Sequence, residues 1–154
     1  MLNEGDRLPD LTLPAPEGAS VRLRDYEGAP FVLYFYPKDD TPGCTREAQE
    51  FSALGADFRA AGATVLGVSK DAPAKHAKFI AKYGLTLPLA SDDKDEATAA
   101  FGTWVEKKLY GKTYMGIDRS TFLFGADGRL ARAWRKVRVP GHADEVLAAV
   151  RALG

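Results

Sequence analysis

The sequence predicts an α/β sandwich built on a mixed central sheet, and three observations carry that reading. Strand-like apolar runs alternate with segments of helical periodicity along most of the chain. A hairpin signal stands near each end. One run, Phe31-Val32-Leu33-Tyr34-Phe35-Tyr36, has no polar face, which marks a strand buried on both sides of a sheet. At 154 residues the chain suits one domain, residues 1–154, with a core of its own, and no repeat, low-complexity segment or linker divides it.

The elements follow in order. Leu11-Thr12-Leu13 and Val21-Arg22-Leu23 alternate around Pro14, Pro16 and Gly18 and read as an N-terminal hairpin. The apolar run at 31–36 lies between Pro30 and Pro37. After the turn-rich Pro37–Gly43, helical spacing recurs at Cys44, Ala48, Phe51, Gly55 and Phe58, and again at Glu47, Phe51, Leu54 and Phe58. Gly62 ends that helix and Ala63–Val68 is a second buried strand. Asp71 is the expected N-cap of the next helix, with Pro73 in its first turn, Ala77, Ile80 and Ala81 as its apolar stripe and Gly84 closing it. Leu85–Leu89 reads as a short strand and Asp95–Phe101 as a short helix. Trp104–Met115 holds a turn at Gly111. Ser120–Phe124 and Leu130–Val137 pair across an Asp127-Gly128 turn. Ala143–Leu153 closes the chain as an amphipathic helix with Val146, Leu147 and Val150 inward.

Composition excludes several classes. Hydrophobic residues make up 45% and charged residues 27%, as in an ordinary globular protein. Twenty-one Lys and Arg balance 21 Asp and Glu, so no net field favours nucleic acid or an anionic membrane. No stretch approaches the ~20 apolar residues of a membrane span. The polar start, Met1-Leu2-Asn3-Glu4-Gly5-Asp6-Arg7, does not read as a secretory signal, so a cytoplasmic location is expected. A single cysteine excludes an intramolecular disulfide, a Cys-x-x-Cys pair and a cysteine-rich zinc site. His76, among Lys75 and Lys78, is expected on a solvated helix face, and His142 is expected to help a helix start. Neither has neighbouring metal ligands in the sequence. Gly111-Lys112-Thr113 lacks the upstream glycine of a phosphate loop. Trp104 and Trp134 are expected in the core or a pocket wall.

The only cysteine is either inert packing or a reactive thiol, and its neighbours favour reactivity. In Thr41-Pro42-Gly43-Cys44, a buried strand gives way to a helix, with Thr41 as N-cap and Pro42 in the first turn. Cys44 then lies where free N–H groups and the positive end of the helix dipole converge, a setting that favours thiolate over thiol. Thiolate formation alone is a small effect. Taking a thiol from a pKa of ~8.5 to ~6 raises its ionised fraction roughly thirtyfold at neutral pH, or about 2 kcal/mol. A fast reaction at a thiolate also needs the attacked atom aligned with sulfur and donors for the leaving group. The donors available are the Thr41 hydroxyl, backbone N–H groups near Gly43 and Cys44, and an arginine from elsewhere.

The run Phe35-Tyr36-Pro37-Lys38-Asp39-Asp40-Thr41-Pro42-Gly43-Cys44-Thr45 resembles the peroxiredoxin pattern Pro-x-x-x-Thr-x-x-Cys, and in particular the bacterioferritin-comigratory, or Q-type, subfamily. Gly111–Phe122, with Asp118-Arg119-Ser120-Thr121, is similar to the same subfamily, and the likeness runs from about Leu8 to Leu153. The resemblance implies a thioredoxin-like fold and a cofactor-free, metal-free thiol peroxidase acting as a monomer or weak dimer. Cys44 would be the peroxidatic nucleophile, Thr41 would bind and orient the peroxide, and Pro37 would shield the sulfur. Gly43 would contribute to the pocket. Arg119 would hold thiolate and peroxide, and Glu47 would orient Arg119.

The chain departs from the subfamily where many members carry a resolving cysteine, five residues after the nucleophile: here Gln49 stands. Others carry it on the next helix, and residues 72–83 contain none. An oxidised Cys44 would therefore need an external thiol such as thioredoxin, glutaredoxin or glutathione, or another subunit's Cys44. Two other readings use the same residue. A thiol transferase would work through mixed disulfides, and a peroxide sensor would pass oxidation to one protein partner. Relative rates with peroxide and with a glutathione mixed disulfide separate the first, and trapping a specific partner on Cys44 identifies the second.

Overall fold

A computed structural model describes residues Met1–Leu153. β1 (Thr12–Pro14) and β2 (Ser20–Arg22) pair antiparallel as the N-terminal hairpin. β3 (Phe31–Phe35) leads to α1 (Pro42–Ala53) and α2 (Gly55–Ala60), and then come β4 (Thr64–Ser69) and α3 (Pro73–Tyr83). β5 (Leu89–Ser91), α4 (Glu96–Phe101), β6 (Trp104–Leu109) and β7 (Lys112–Ile117) follow. β8 (Ser120–Phe124), β9 (Leu130–Trp134) and α5 (His142–Ala152) complete the order.

Five strands form the central sheet in the order β5-β4-β3-β8-β9, parallel from β3 through β4 to β5 and antiparallel from β3 through β8 to β9. The apolar run at the centre is explained by its two faces. Val32, Tyr34 and Tyr36 point into a core with Phe51, Phe58, Phe79, Val146 and Val150, supplied by α1, α2, α3 and α5. Phe31, Leu33 and Phe35 point into a second core with Leu13, Leu66, Phe101 and Phe122, covered by the N-terminal hairpin and α4. Gly67 of β4 is required by this packing. A Cβ there would meet Leu89 Cδ2 at 2.7 Å and the Tyr34 ring at 2.8 Å.

The structure corrects several expectations. The helix after Cys44 is broken at Leu54 (φ −93°, ψ 7°), so one periodic stretch becomes α1 and α2. The strand expected at 85–89 begins only at Leu89, because the alignment with β4 runs from Gly67↔Leu89 to Ser69↔Ser91. β9 stops at Trp134, and Lys136 beyond it takes a left-handed φ of 50°. Ala72, not Asp71, is the N-cap of α3. The buried positions of α3 are His76 and Phe79, whereas Ala81 is exposed. Trp104 is exposed as well, with Lys70 Nζ 4.2 Å over its ring, while Trp134 is half-buried beside His142. Trp104–Met115 is most of a hairpin of its own. Its two turn residues, Tyr110 (φ 51°) and Gly111 (φ 76°), are both left-handed, the geometry that matches strand twist in tight hairpins.

Candidate active site

The site forms where the carboxyl end of β3 turns into α1. Thr41 occupies the N-cap position with extended backbone (φ −96°, ψ 155°), and Pro42, Gly43 and Cys44 make the first turn. No acidic residue stands in that turn to oppose the helix dipole. The Thr41 hydroxyl does not cap the helix. It donates to the Lys38 carbonyl at 2.8 Å, which leaves its oxygen lone pairs as acceptors toward the pocket. Pro37, Thr41 and Gly43 are half-buried, and Cys44 is 2% exposed and free of any disulfide.

Arg119 reaches the sulfur from the step between β7 and β8. Its Nη2 lies 3.4 Å from Cys44 Sγ, and its Nη1 donates to Glu47 Oε1 at 2.7 Å. The Arg119 carbonyl accepts from the Val137 N–H at 2.9 Å, which ties down its backbone. Gly43 makes room for this approach, since a Cβ on it would lie 3.2 Å from Arg119 Nη2. Of the residues named from the sequence, Pro37, Thr41, Gly43, Cys44 and Glu47 lie on the loop after β3 and the first turns of α1, and Arg119 is brought to Cys44 and Glu47 from between β7 and β8, 75 positions from Cys44.

The electrostatics follow from burial and from this one cation. Glu47 is 1% exposed, and burial pushes its carboxyl up to about 7 against the lowering effect of Arg119. Its second oxygen, Oε2, has no hydrogen-bond partner among the described residues. Burial works against the charge on Arg119, but Glu47 and Cys44 outweigh it and hold the guanidinium above its ordinary value. Lys107 of β6, half-buried, is a further cation in this neighbourhood. Burial and Arg119 lower its pKa, while Asp118 and Cys44 act in the other direction.

Two histidines depart from expectation. His76 is fully buried, not solvated: Nδ1 lies 2.6 Å from Asp39 Oδ2 and Nε2 lies 3.0 Å from the Ala90 carbonyl oxygen. Lys75 and Lys78 misled because residues one and two apart on a helix point to different faces; the usable signal was Phe79, three residues on. His142 begins α5, but its ring does more than help a turn. Nε2 meets Thr121 Oγ1 at 2.7 Å, the ring stands edge-on to Phe51 and Trp134, and burial lowers its pKa to about 4. Among the described residues no three His, Cys, Asp or Glu side chains gather where they could hold a metal ion, and no helix is long and apolar enough to cross a membrane.

Known proteins resemble this chain in sequence and in fold. Residues 5–133 match the model of the AhpC/TSA family. The chain is 50% identical to peroxiredoxin Bcp of Xanthomonas campestris over 143 residues, 93% of this chain and 89% of that protein. It is 48% identical to peroxiredoxin Bcp of Bacillus subtilis, over 93% of this chain and 91% of that one. Among solved structures, the X. campestris bacterioferritin comigratory protein, studied for alkyl peroxide reduction, superposes with a TM-score of 0.91 at 46% identity, covering 98% of this chain and 99% of that one. A Xylella fastidiosa PrxQ mutant gives a TM-score of 0.94 at 44% identity, covering 99% and 98%.

A thioredoxin-like fold with a buried cysteine at the start of a helix defines the class, a thiol peroxidase. The chain belongs to the AhpC/TSA family of peroxiredoxins, in its bacterioferritin-comigratory, or Q-type, subfamily, and it lacks the resolving cysteine.

Proposed function

We propose that Cys44 reduces hydrogen peroxide and organic hydroperoxides, and that a thiol from outside the chain completes the cycle. The observation that carries this reading is the contact of Arg119 with both Cys44 Sγ (3.4 Å) and Glu47 (2.7 Å) at the start of α1.

The Cys44 thiolate attacks the terminal oxygen of the peroxide. The S–O bond forms as the O–O bond breaks, leaving a sulfenic acid on Cys44 and an alkoxide or hydroxide that takes up a proton and departs as alcohol or water. Arg119 stabilises the thiolate before the attack and the charge on the leaving oxygen during it. Thr41 accepts a hydrogen bond from the peroxide O–H and aligns the O–O bond with sulfur. Pro37 shields the sulfur from water, Gly43 admits the guanidinium and the substrate, and Glu47 orients Arg119. A thiol then condenses with the sulfenic acid, giving a mixed disulfide and water. A second thiol reduces that disulfide and restores Cys44. The reductant class is thioredoxin, glutaredoxin or glutathione, the enzyme is cytoplasmic and works without cofactor or metal, and one copy suffices.

The test is peroxide consumption with each of these reductants in turn. Cys44→Ser is expected to lose it entirely. A Cys44→Ser variant that consumes peroxide at the wild-type rate contradicts the proposal.

A further inference from the structure

The peroxide step does not use the buried group behind the active-site loop. Asp39 stands two residues before Thr41 and five before Cys44, yet its side chain is wholly buried. A buried carboxylate needs partners, and each of its oxygens has one. Tyr36 Oη donates to Oδ1 at 2.5 Å, and His76 Nδ1 faces Oδ2 at 2.6 Å. The Asp39 N–H donates to Asp71 Oδ2 at 2.8 Å, and Asp71 is itself held by Ser69 Oγ at 2.6 Å and Lys75 Nζ at 3.0 Å.

His76 joins this cluster to the sheet. Its Nε2 lies 3.0 Å from the Ala90 carbonyl, an oxygen with no hydrogen to give, so that nitrogen is a donor. Its Nδ1 also lies 3.3 Å from Tyr36 Oη, whose hydrogen is committed to Asp39. The loop from Pro37 to Thr41 is therefore fixed to the end of β3 through Tyr36, the residue after the strand, to α3 and β5 through His76, and to the turn before α3 through Asp71. The same loop holds a left-handed residue, Asp40 (φ 59°), which is anchored from α3 by Tyr83 Oη and Lys82 Nζ.

We propose that His76, acting through Asp39, is a positioning residue for peroxide reduction. It sets the loop that carries Thr41 into α1, and so fixes the alignment of the Thr41 hydroxyl with Cys44 Sγ. This rests on the reading of the Cys44 pocket as the peroxide site. Misplacing a reacting group by about 1 Å costs on the order of 10²-fold in rate, so a clamp one loop away from the sulfur is well placed to matter.

The experiment separates the two half-reactions by steady-state kinetics with hydrogen peroxide and a small dithiol. His76→Ala and Asp39→Asn are each expected to lower kcat/KM for peroxide by about 10²-fold and to leave kcat/KM for the dithiol unchanged. The double variant is expected to fall no further than the worse single one, because the two side chains act as a unit. Tyr36→Phe, which keeps the ring and removes one hydrogen bond, is expected to show a smaller loss in the same half-reaction, and it carries the test if the other variants do not fold. Equal losses in both half-reactions, additive losses in the double variant, or a wild-type peroxide rate in Tyr36→Phe overturns the inference. A wild-type chain that consumes no peroxide overturns the reading of the pocket, and this inference with it.

Discussion

Two carboxylates lie buried on either side of the Cys44 turn, and they are satisfied very differently. Asp39 has a hydrogen bond on each oxygen and a further one on its backbone N–H. Glu47 has Arg119 on one oxygen and, among the described residues, nothing on the other, and burial pushes its carboxyl up to about 7. A fully paired buried network is rigid, whereas a half-paired buried carboxylate is poorly compensated and gains or loses its proton more readily as neighbouring charges change. The first arrangement suits a fixed scaffold. The second suits a group held by a guanidinium that stays charged, beside a sulfur whose charge changes when it is oxidised.

The widest gap between the two regions is expected at Arg119. Removing a donor aimed at developing charge costs on the order of 10²–10³ in rate, and Arg119→Ala is expected to lower the rate constant with hydrogen peroxide by that amount. Stopped-flow measurement of Cys44 oxidation checks it. A loss below threefold would break the contrast between a working cation and a packing one.

A smaller effect is expected at Glu47, where Glu47→Gln keeps the shape and removes the charge, and the peroxide rate falls roughly tenfold through a less well held Arg119. Its pH signature is more specific. Between the ordinary value of 4.5 and the folded value of about 7, the folded chain holds a proton on Glu47 that the unfolded chain has released. Stability therefore falls as pH rises through that window. His142 acts in the opposite sense. Its pKa drops from 6.5 to about 4 on folding, through burial first, so stability falls as pH drops through that window. In wild type the two slopes oppose each other. Urea unfolding across the same pH range is expected to show stability rising with pH in Glu47→Gln and falling with pH in His142→Gln. Slopes of the same sign in both variants would contradict this account.

What could be read from the sequence depended on how local the cause was. The strand at Phe31–Phe35 and the place of Cys44 in the first turn of α1 were legible, because an uninterrupted apolar run and a Thr-Pro-Gly start are local signals. The approach of Arg119 to Cys44 came through family resemblance, since no spacing rule joins residues 75 positions apart. The break at Leu54 was hidden because the apolar period continues through it, and only backbone angles show it. His76 was hidden for a different reason. Its partners, Asp39 and Ala90, come from a loop and a strand far along the chain, so its lysine neighbours gave the wrong environment. The Thr41 hydroxyl was expected on the helix end but lies on Lys38, a competition between two nearby backbone acceptor and donor sets that sequence does not decide.

The central claim is that Cys44 begins a cycle that a thiol from outside the chain must finish. Intact-mass measurement after one equivalent of hydrogen peroxide tests it most directly. The expected result is a gain of one oxygen on Cys44 that persists without thiol and is lost on adding thioredoxin, glutaredoxin or glutathione. A Cys44 that stays unmodified by peroxide, or an oxidised Cys44 that returns to the thiol with no external reductant, would contradict the account.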